Sequence, residues 1–188
     1  MPLPDHEVRD PRIKRTRQLL QNSLRDLLRQ KPLEEILVND VTSAATVNRA
    51  TFYDHYSSKH DLFNALIAAD FAALLAHRAV CFARGNAAGL HALALAAAAF
   101  LTRLQQDHAA CTGHPSTGPF IDAALTLAIQ QILALRFAER PEGALDAALV
   151  SGALYQGVKE TLVQTNWQAD EAALQAMVRR LLPLAKRR

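Results

Sequence analysis

The chain predicts an all-α protein, and three observations lead there. Alanine and leucine dominate a sequence that is 50% hydrophobic but only 6% aromatic. Glycine and proline, the residues least compatible with a helix interior, are few and concentrated at a handful of points. Between those points apolar residues recur three and four apart, which places them on one face of a helix. With 188 residues the chain has room for one large domain or two small ones.

The elements follow in order. Residues 1–10 are polar and carry prolines, and read as a disordered arm. A first helix is expected from Pro11 to Gln30, with Pro11 in the first turn, where its missing N–H costs nothing. Its stripe is Ile13, Leu20, Leu24, Leu27 and Leu28, its basic cluster Lys14, Arg15 and Arg17, and Pro32 closes it. Two short helices come next. Val38–Ala45 puts Val41, Ala44 and Ala45 on one stripe, and Thr46-Val47-Asn48 breaks it. Asn48 is a good N-cap for a second helix over Arg49–Tyr56, because its side-chain oxygen can accept from an orphan backbone N–H. Phe52 and Tyr56, four apart, face inward; Arg49, Thr51, Tyr53 and His55 are left outside. Ser58 with Asp61 forms a capping box that starts a fourth helix, reaching Arg84 through Leu62, Phe63, Leu66, Ile67, Phe71, Leu74 and Leu75.

Gly85–Gly89 is a loop signal, Leu90–His108 an alanine-rich helix, and Ala110–Pro119 a second loop. Helices are then expected over Phe120–Glu139, stopped by Pro141, over Glu142–Gln164, and over Ala169–Leu184. Ser151, Gly152, Ala153 and Gly157 place small residues on the penultimate helix, where another helix can approach closely.

Two helices joined by a tight turn form a helix-turn-helix, whose second helix fits the DNA major groove. Arginine pairs bidentately with guanine, and threonine offers a hydroxyl to a base edge or a methyl to thymine. The residues Asp40-Val41, Ala45, Val47-Asn48-Arg49-Ala50-Thr51-Phe52-Tyr53, Tyr56, Lys59 and Asp61-Leu62-Phe63 resemble the TetR family of bacterial transcriptional regulators, over roughly Arg12 to Leu66. Two positions depart from that pattern. Leu37 stands where the family has a capping threonine, and Thr46 where it has glycine.

The resemblance implies a three-helix DNA-binding domain over residues 11–66, with the motif at about 37–56, joined to a helical-bundle ligand-binding and dimerisation domain over 67–188. By matching positions, Arg49, Ala50 and Thr51 are candidates for base contact, with Asn39 an addition. Tyr53, His55 and Lys59 would fix phosphates, assisted by Lys14 and Arg15. The body would hold a small-molecule pocket drawing on His77, Phe100, Gln105, Leu125, Ile129 and Tyr155. The dimer interface would use the last two helices through Leu149, Gly152, Gly157, Leu174, Val178 and Leu181. The expected partners are a double-stranded DNA operator, a second copy of the chain, and an unidentified effector that releases a repressor. The alternative is a DNA-associated adaptor controlled by a protein partner.

Charge agrees with this polarity. Residues 9–31 hold eight Lys or Arg against two Asp, a balance of +6, whereas residues 62–178 sum to −3. A basic end on a mildly acidic body suits one DNA-facing end. Two cysteines, Cys81 and Cys111, make no disulfide framework. His108, Cys111 and His114, with Cys81 and His77, lack the paired spacing of a zinc site, so neither metal nor cofactor is expected. No phosphate-cradling glycine loop, Gly-x-Ser-x-Gly or paired-carboxylate motif points to an enzyme. Ser57, His55 and Asp61 fall where motif and cap roles already use them. The start lacks an apolar signal core, and the run Leu90–Leu101 is too short to span a bilayer, so a cytoplasmic protein away from the membrane is expected.

Overall fold

The computed structural model describes residues 10–78, 87–107 and 117–185, and among these every regular element is helical. Eight α-helices and one 3₁₀ turn follow each other: α1 (Pro11–Leu28), the turn Leu33–Glu35, α2 (Val38–Ala45), α3 (Arg49–His55), α4 (Lys59–His77), α5 (Ala87–Asp107), α6 (Gly118–Phe137), α7 (Gly143–Gln164) and α8 (Glu171–Ala185). The chain forms two compact units, residues 1–67 with 108–121, and residues 68–107 with 122–188.

In the first unit, α1 starts at Pro11, the expected boundary. Asp10, read as part of the arm, is its N-cap: a side-chain oxygen accepts from the Arg12 N–H at 2.8 Å. Leu20, Leu24 and Leu28 are buried, but Ile13 sits in the exposed first turn at 36%. The helix stops two residues early because the N–H groups of Gln30 and Lys31 both fold back on the Leu27 carbonyl. The 3₁₀ turn then buries Leu33 and, just after it, Ile36 completely.

The short helices lie where the spacing put them. Along α2, Val41 and Ala45 are buried; Ala44 is exposed, and Thr42 takes the inward place. Thr42 satisfies its buried hydroxyl by donating to the Asn39 carbonyl at 3.2 Å. The helix ends in a Schellman arrangement: Thr46 N–H bonds the Ser43 carbonyl and Val47 N–H the Thr42 carbonyl. Thr46 itself is left-handed, at φ 55° and ψ 41°, a region where a Cβ crowds the following carbonyl.

The second unit is built on α5, α7 and α8, which pack on one another. Alanine allows it: Ala94, Ala96, Ala97 and Ala98 are buried on α5, beside Leu90, Leu93, Phe100 and Leu101. Helices α5 and α6 both begin inside the expected loops. Ala87–Gly89 is the first turn of α5, and Gly118–Pro119 the first turn of α6, where proline lacks a useful N–H anyway. The segment 79–84 expected to complete α4 lies outside the described residues. By length and composition, Ala87–Gln106 and Gly118–Phe137 are each apolar enough to cross a membrane, which the count over Leu90–Leu101 missed; half of the α5 window is buried against protein.

Two glycines of α7 differ in what surrounds them. A Cβ on Gly143 would lie 2.0 Å from the Phe137 carbonyl oxygen, whereas one on Gly152 would meet nothing within 4 Å.

Two stability predictions follow from this backbone. Thr46→Gly relieves a left-handed cost of about 1–2 kcal/mol and loses about 0.5–1 kcal/mol to the more flexible unfolded chain, so it should stabilise by roughly 0.5–1 kcal/mol in urea unfolding. A lower midpoint would refute the strain. Gly143→Ala should destabilise by roughly 2–3 kcal/mol through overpacking against backbone, while Gly152→Ala gains up to about 1 kcal/mol of helix propensity. Equal effects of the two alanines would refute the contrast.

Candidate nucleic-acid interface

The helix pair α2–α3 is fixed from both ends and from beneath. Leu37, at the N-cap of α2, has no side-chain acceptor, so the start is held differently. Asp40 reaches back and accepts from the Leu37 N–H at 3.0 Å and from the Lys31 ammonium at 2.6 Å. The hydrogen bond from Lys31, then that from Leu37, holds the Asp40 carboxyl below the ordinary carboxylate range. At α3, the Asn48 side chain accepts from the Ala50 N–H at 2.9 Å, as a cap should.

Beneath α3, Phe52 and Tyr56 are buried, 0% and 2% exposed, with ring centroids 6.1 Å apart. Gln21 on α1 donates its amide to the Tyr56 hydroxyl at 3.2 Å, and the Arg17 guanidinium lies 5.9 Å from the Tyr56 ring centroid. Both Arg17 and Gln21 are buried. Arg17 is thereby set apart from Lys14 and Arg15, its neighbours in the basic cluster of α1, which are exposed. Its spacing from Leu20, Leu24 and Leu28 is the signal that places it on the inward face.

On the outer side, Asn39, Arg49 and Ala50 are exposed, Thr51 is half-buried, and Tyr53 is 48% exposed. Arg49 and Tyr53, one turn apart, form a pair: the guanidinium carbon lies 5.7 Å from the ring centroid, and Nη2 donates to the hydroxyl at 3.4 Å. Lys14, Arg15 and Asp54 are exposed as well. His55 is half-buried, and burial, with Arg17 nearby, lowers its pKa below the usual imidazole value. At neutral pH it therefore offers an N–H but no charge.

Lys59 departs from the expectation. Its ammonium donates to three backbone carbonyls, of Leu33 at 2.9 Å, Glu34 at 2.8 Å and Ile36 at 2.9 Å. An ammonium has three hydrogens, so none is left for a phosphate. The start of α4 is capped instead by Ser58, which accepts from the Asp61 N–H, while Asp61 accepts from the Ser57 N–H and hydroxyl. Ser57 and Asp61 thus serve the cap.

In the body, Phe100, Leu125, Ile129 and Tyr155 are buried, and the Phe71 and Phe100 rings meet edge-on at 5.5 Å. His77 and Gln105 are exposed at helix ends, so neither is an internal polar anchor. The polar group that the sequence did not reveal is Asp122. It accepts from the Tyr155 hydroxyl at 2.7 Å and pairs with Lys159. Burial first, then the Asp122 carboxylate, raises the Tyr155 pKa far above the phenolic range, so the hydroxyl stays protonated.

The expected dimer residues divide. Leu174 and Val178 are 0% and 2% exposed within a single chain, and a Cβ on Gly157 would touch Met177 Sδ at 2.8 Å. Gly157 thus packs α7 on α8, and Leu174 and Val178 are covered within the chain, where α8 packs on α5 and α7. Leu181 is half-buried, whereas Leu149 is 58% exposed and Gly152 faces open space. His108, Cys111, His114 and Cys81 lie outside the described residues. Among the described residues no three His, Cys, Asp or Glu side chains gather at metal-binding distances.

Residues 23–66 match the family model of bacterial regulatory proteins of the tetR family. The HTH-type transcriptional regulator YxbF of Bacillus subtilis (strain 168) is 38% identical over 69 residues, which is 36% of this chain and 18% of that protein. The chain thus matches under a fifth of that relative's length. Among solved structures, RolR has a TM-score of 0.49 at 16% identity, covering 91% of this chain and 97% of its own. A transcriptional regulator from Pseudomonas aeruginosa PAO1 has a TM-score of 0.49 at 19% identity, covering 96% and 95%. The helix pair α2–α3 lies inside the matched span, so it is this N-terminal segment, residues 23–66, that is similar to the tetR family of bacterial regulatory proteins.

Proposed function

We propose that this chain is a homodimeric, cytoplasmic repressor that reads a near-palindromic DNA operator and is released by a small molecule. The observation that carries the reading is the division of α3 into two faces. Phe52 and Tyr56 hold one face, while Arg49, Ala50 and Tyr53 are exposed on the other. In the major groove Arg49, Ala50 and Thr51 meet base edges, with Asn39 beside them. Tyr53, His55, Lys14 and Arg15 serve phosphates.

Support for a dimer comes from α7. Leu145, Leu149 and Val163 are 55%, 58% and 57% exposed, and share one side of the helix with Gly152. A dimer brings two motifs to half-sites about one helical turn apart. Support for an effector is the buried Tyr155, whose hydroxyl joins the partly exposed Asp122–Lys159 pair at the edge of an apolar body. The ligand must bind the DNA-incompetent state more tightly, or it shifts nothing. Helix α4 is the continuous backbone from residue 59 to residue 77, so its displacement would carry that signal. The adaptor alternative would use the exposed Leu127 and Leu135 of α6 for a protein partner.

Selection from random duplex DNA by ligand-free protein should return a two-fold-symmetric site; retention without sequence preference would sink sequence-specific reading. On that site, Arg49→Ala should relax the preference at one base pair per half-site, at a cost of about 1–3 kcal/mol. Leu149→Glu should convert the dimer to folded monomer in sedimentation velocity. An unchanged dimer would move the interface off this face of α7.

A further inference from the structure

We propose that Lys59 is a positioning residue: it sets the orientation of the α2–α3 pair by clasping the backbone that leads into α2, and contacts no phosphate. The proposal rests on the reading of α3 as the DNA-reading helix. The carbonyls of Leu33, Glu34 and Ile36 converge on one ammonium at 2.8–2.9 Å. These oxygens belong to a one-turn helix and the residue after it; the Leu33 carbonyl also accepts the Ile36 N–H, and carbonyls at such a helix end are not all satisfied by the helix itself. A compact cation with three rotatable hydrogens fits such a seat; a planar guanidinium does not.

The clasped segment has little freedom to move independently of the motif. Ile36 is fully buried and is followed directly by Leu37, the N-cap of α2. On the other side of that junction, Lys31 and the Leu37 N–H both bond Asp40. Two lysines therefore hold the entry to α2, one from the end of α1 and one from the first turn of α4. The turn at Thr46–Asn48 passes that placement on to α3. Loss of the Lys59 clasp leaves three carbonyls without their cation, those of Leu33 and Ile36 in part-buried positions, and frees the entry segment.

The test compares full-length wild type with Lys59→Gln and Lys59→Arg on a duplex selected by the wild type, at a temperature where circular dichroism shows all three folded. Three readouts are taken: affinity, its salt slope, and hydrogen exchange of amides 33–41. Both variants should lose about tenfold or more in affinity, with the salt slope unchanged and exchange in 33–41 faster. A slope smaller by about 0.9 would mean that Lys59 contacts a phosphate. Full affinity in Lys59→Arg would mean that charge alone matters, and full affinity in both would mean a purely structural lysine. Each of these results overturns the proposal. If the wild type selects no DNA, the positioning role falls with the DNA reading, and exchange in 33–41 still shows separately whether the clasp exists.

Discussion

The seven residues of α3 depend on the burial of Phe52 and Tyr56. A helix this short is not stable by itself in water, since nucleation costs more than one or two turns return. Its conformation comes from the surroundings: an Asn48 cap at one end and two aromatic rings beneath. The second ring lies at the residue where the helix stops. The Tyr56 hydroxyl then joins α3 to α1 through Gln21, and its ring face lies near Arg17. Everything proposed for the outer face follows from that anchorage, because a helix held on one side presents the other in a fixed register.

The basic residues of this region do two different jobs, and a charge count cannot separate them. Arg17 is buried near Tyr56, Lys31 closes on Asp40, and Lys59 is surrounded by carbonyls. Lys14, Arg15 and Arg49 are exposed. The balance of +6 over residues 9–31 therefore overstates the charge available to a phosphate backbone. Cations that organise the fold are buried or seated beside carbonyls and carboxylates; those left for a ligand are exposed, Arg49 with its guanidinium beside the exposed Tyr53 ring.

The helix pair was legible because its signals are local. Asn48 is an N-cap through its own side chain, and Phe52 and Tyr56 share a face through spacing alone. Thr46 in place of glycine foretold a strained turn, and the chain adopts it at φ 55°. The misreadings concern partners that are distant in sequence. Lys59 matched a family position, but its three carbonyls lie 23 to 26 residues away. Asp122 was invisible as a partner for Tyr155 because 33 residues separate them. Leu174 and Val178 carried a correct signal of burial, since periodicity shows that a face is covered. It does not show whether the cover is the same chain or another.

Helix α7 makes that last distinction physical. Along one side Gly157 lets Met177 approach, and Val150, Leu154 and Val158 are buried within the chain. Along another, Leu145, Leu149 and Val163 are exposed around Gly152, whose missing Cβ leaves open space. A buried leucine contributes about 1.5–3 kcal/mol relative to an exposed one, so covering this stripe favours association. Three such side chains fall short of the roughly 800 Å² per partner of a stable interface. The proposed dimer would need further surface to join them, and among the described residues of the same unit Leu127 and Leu135 on α6, 41% and 78% exposed, are large apolar side chains open to solvent.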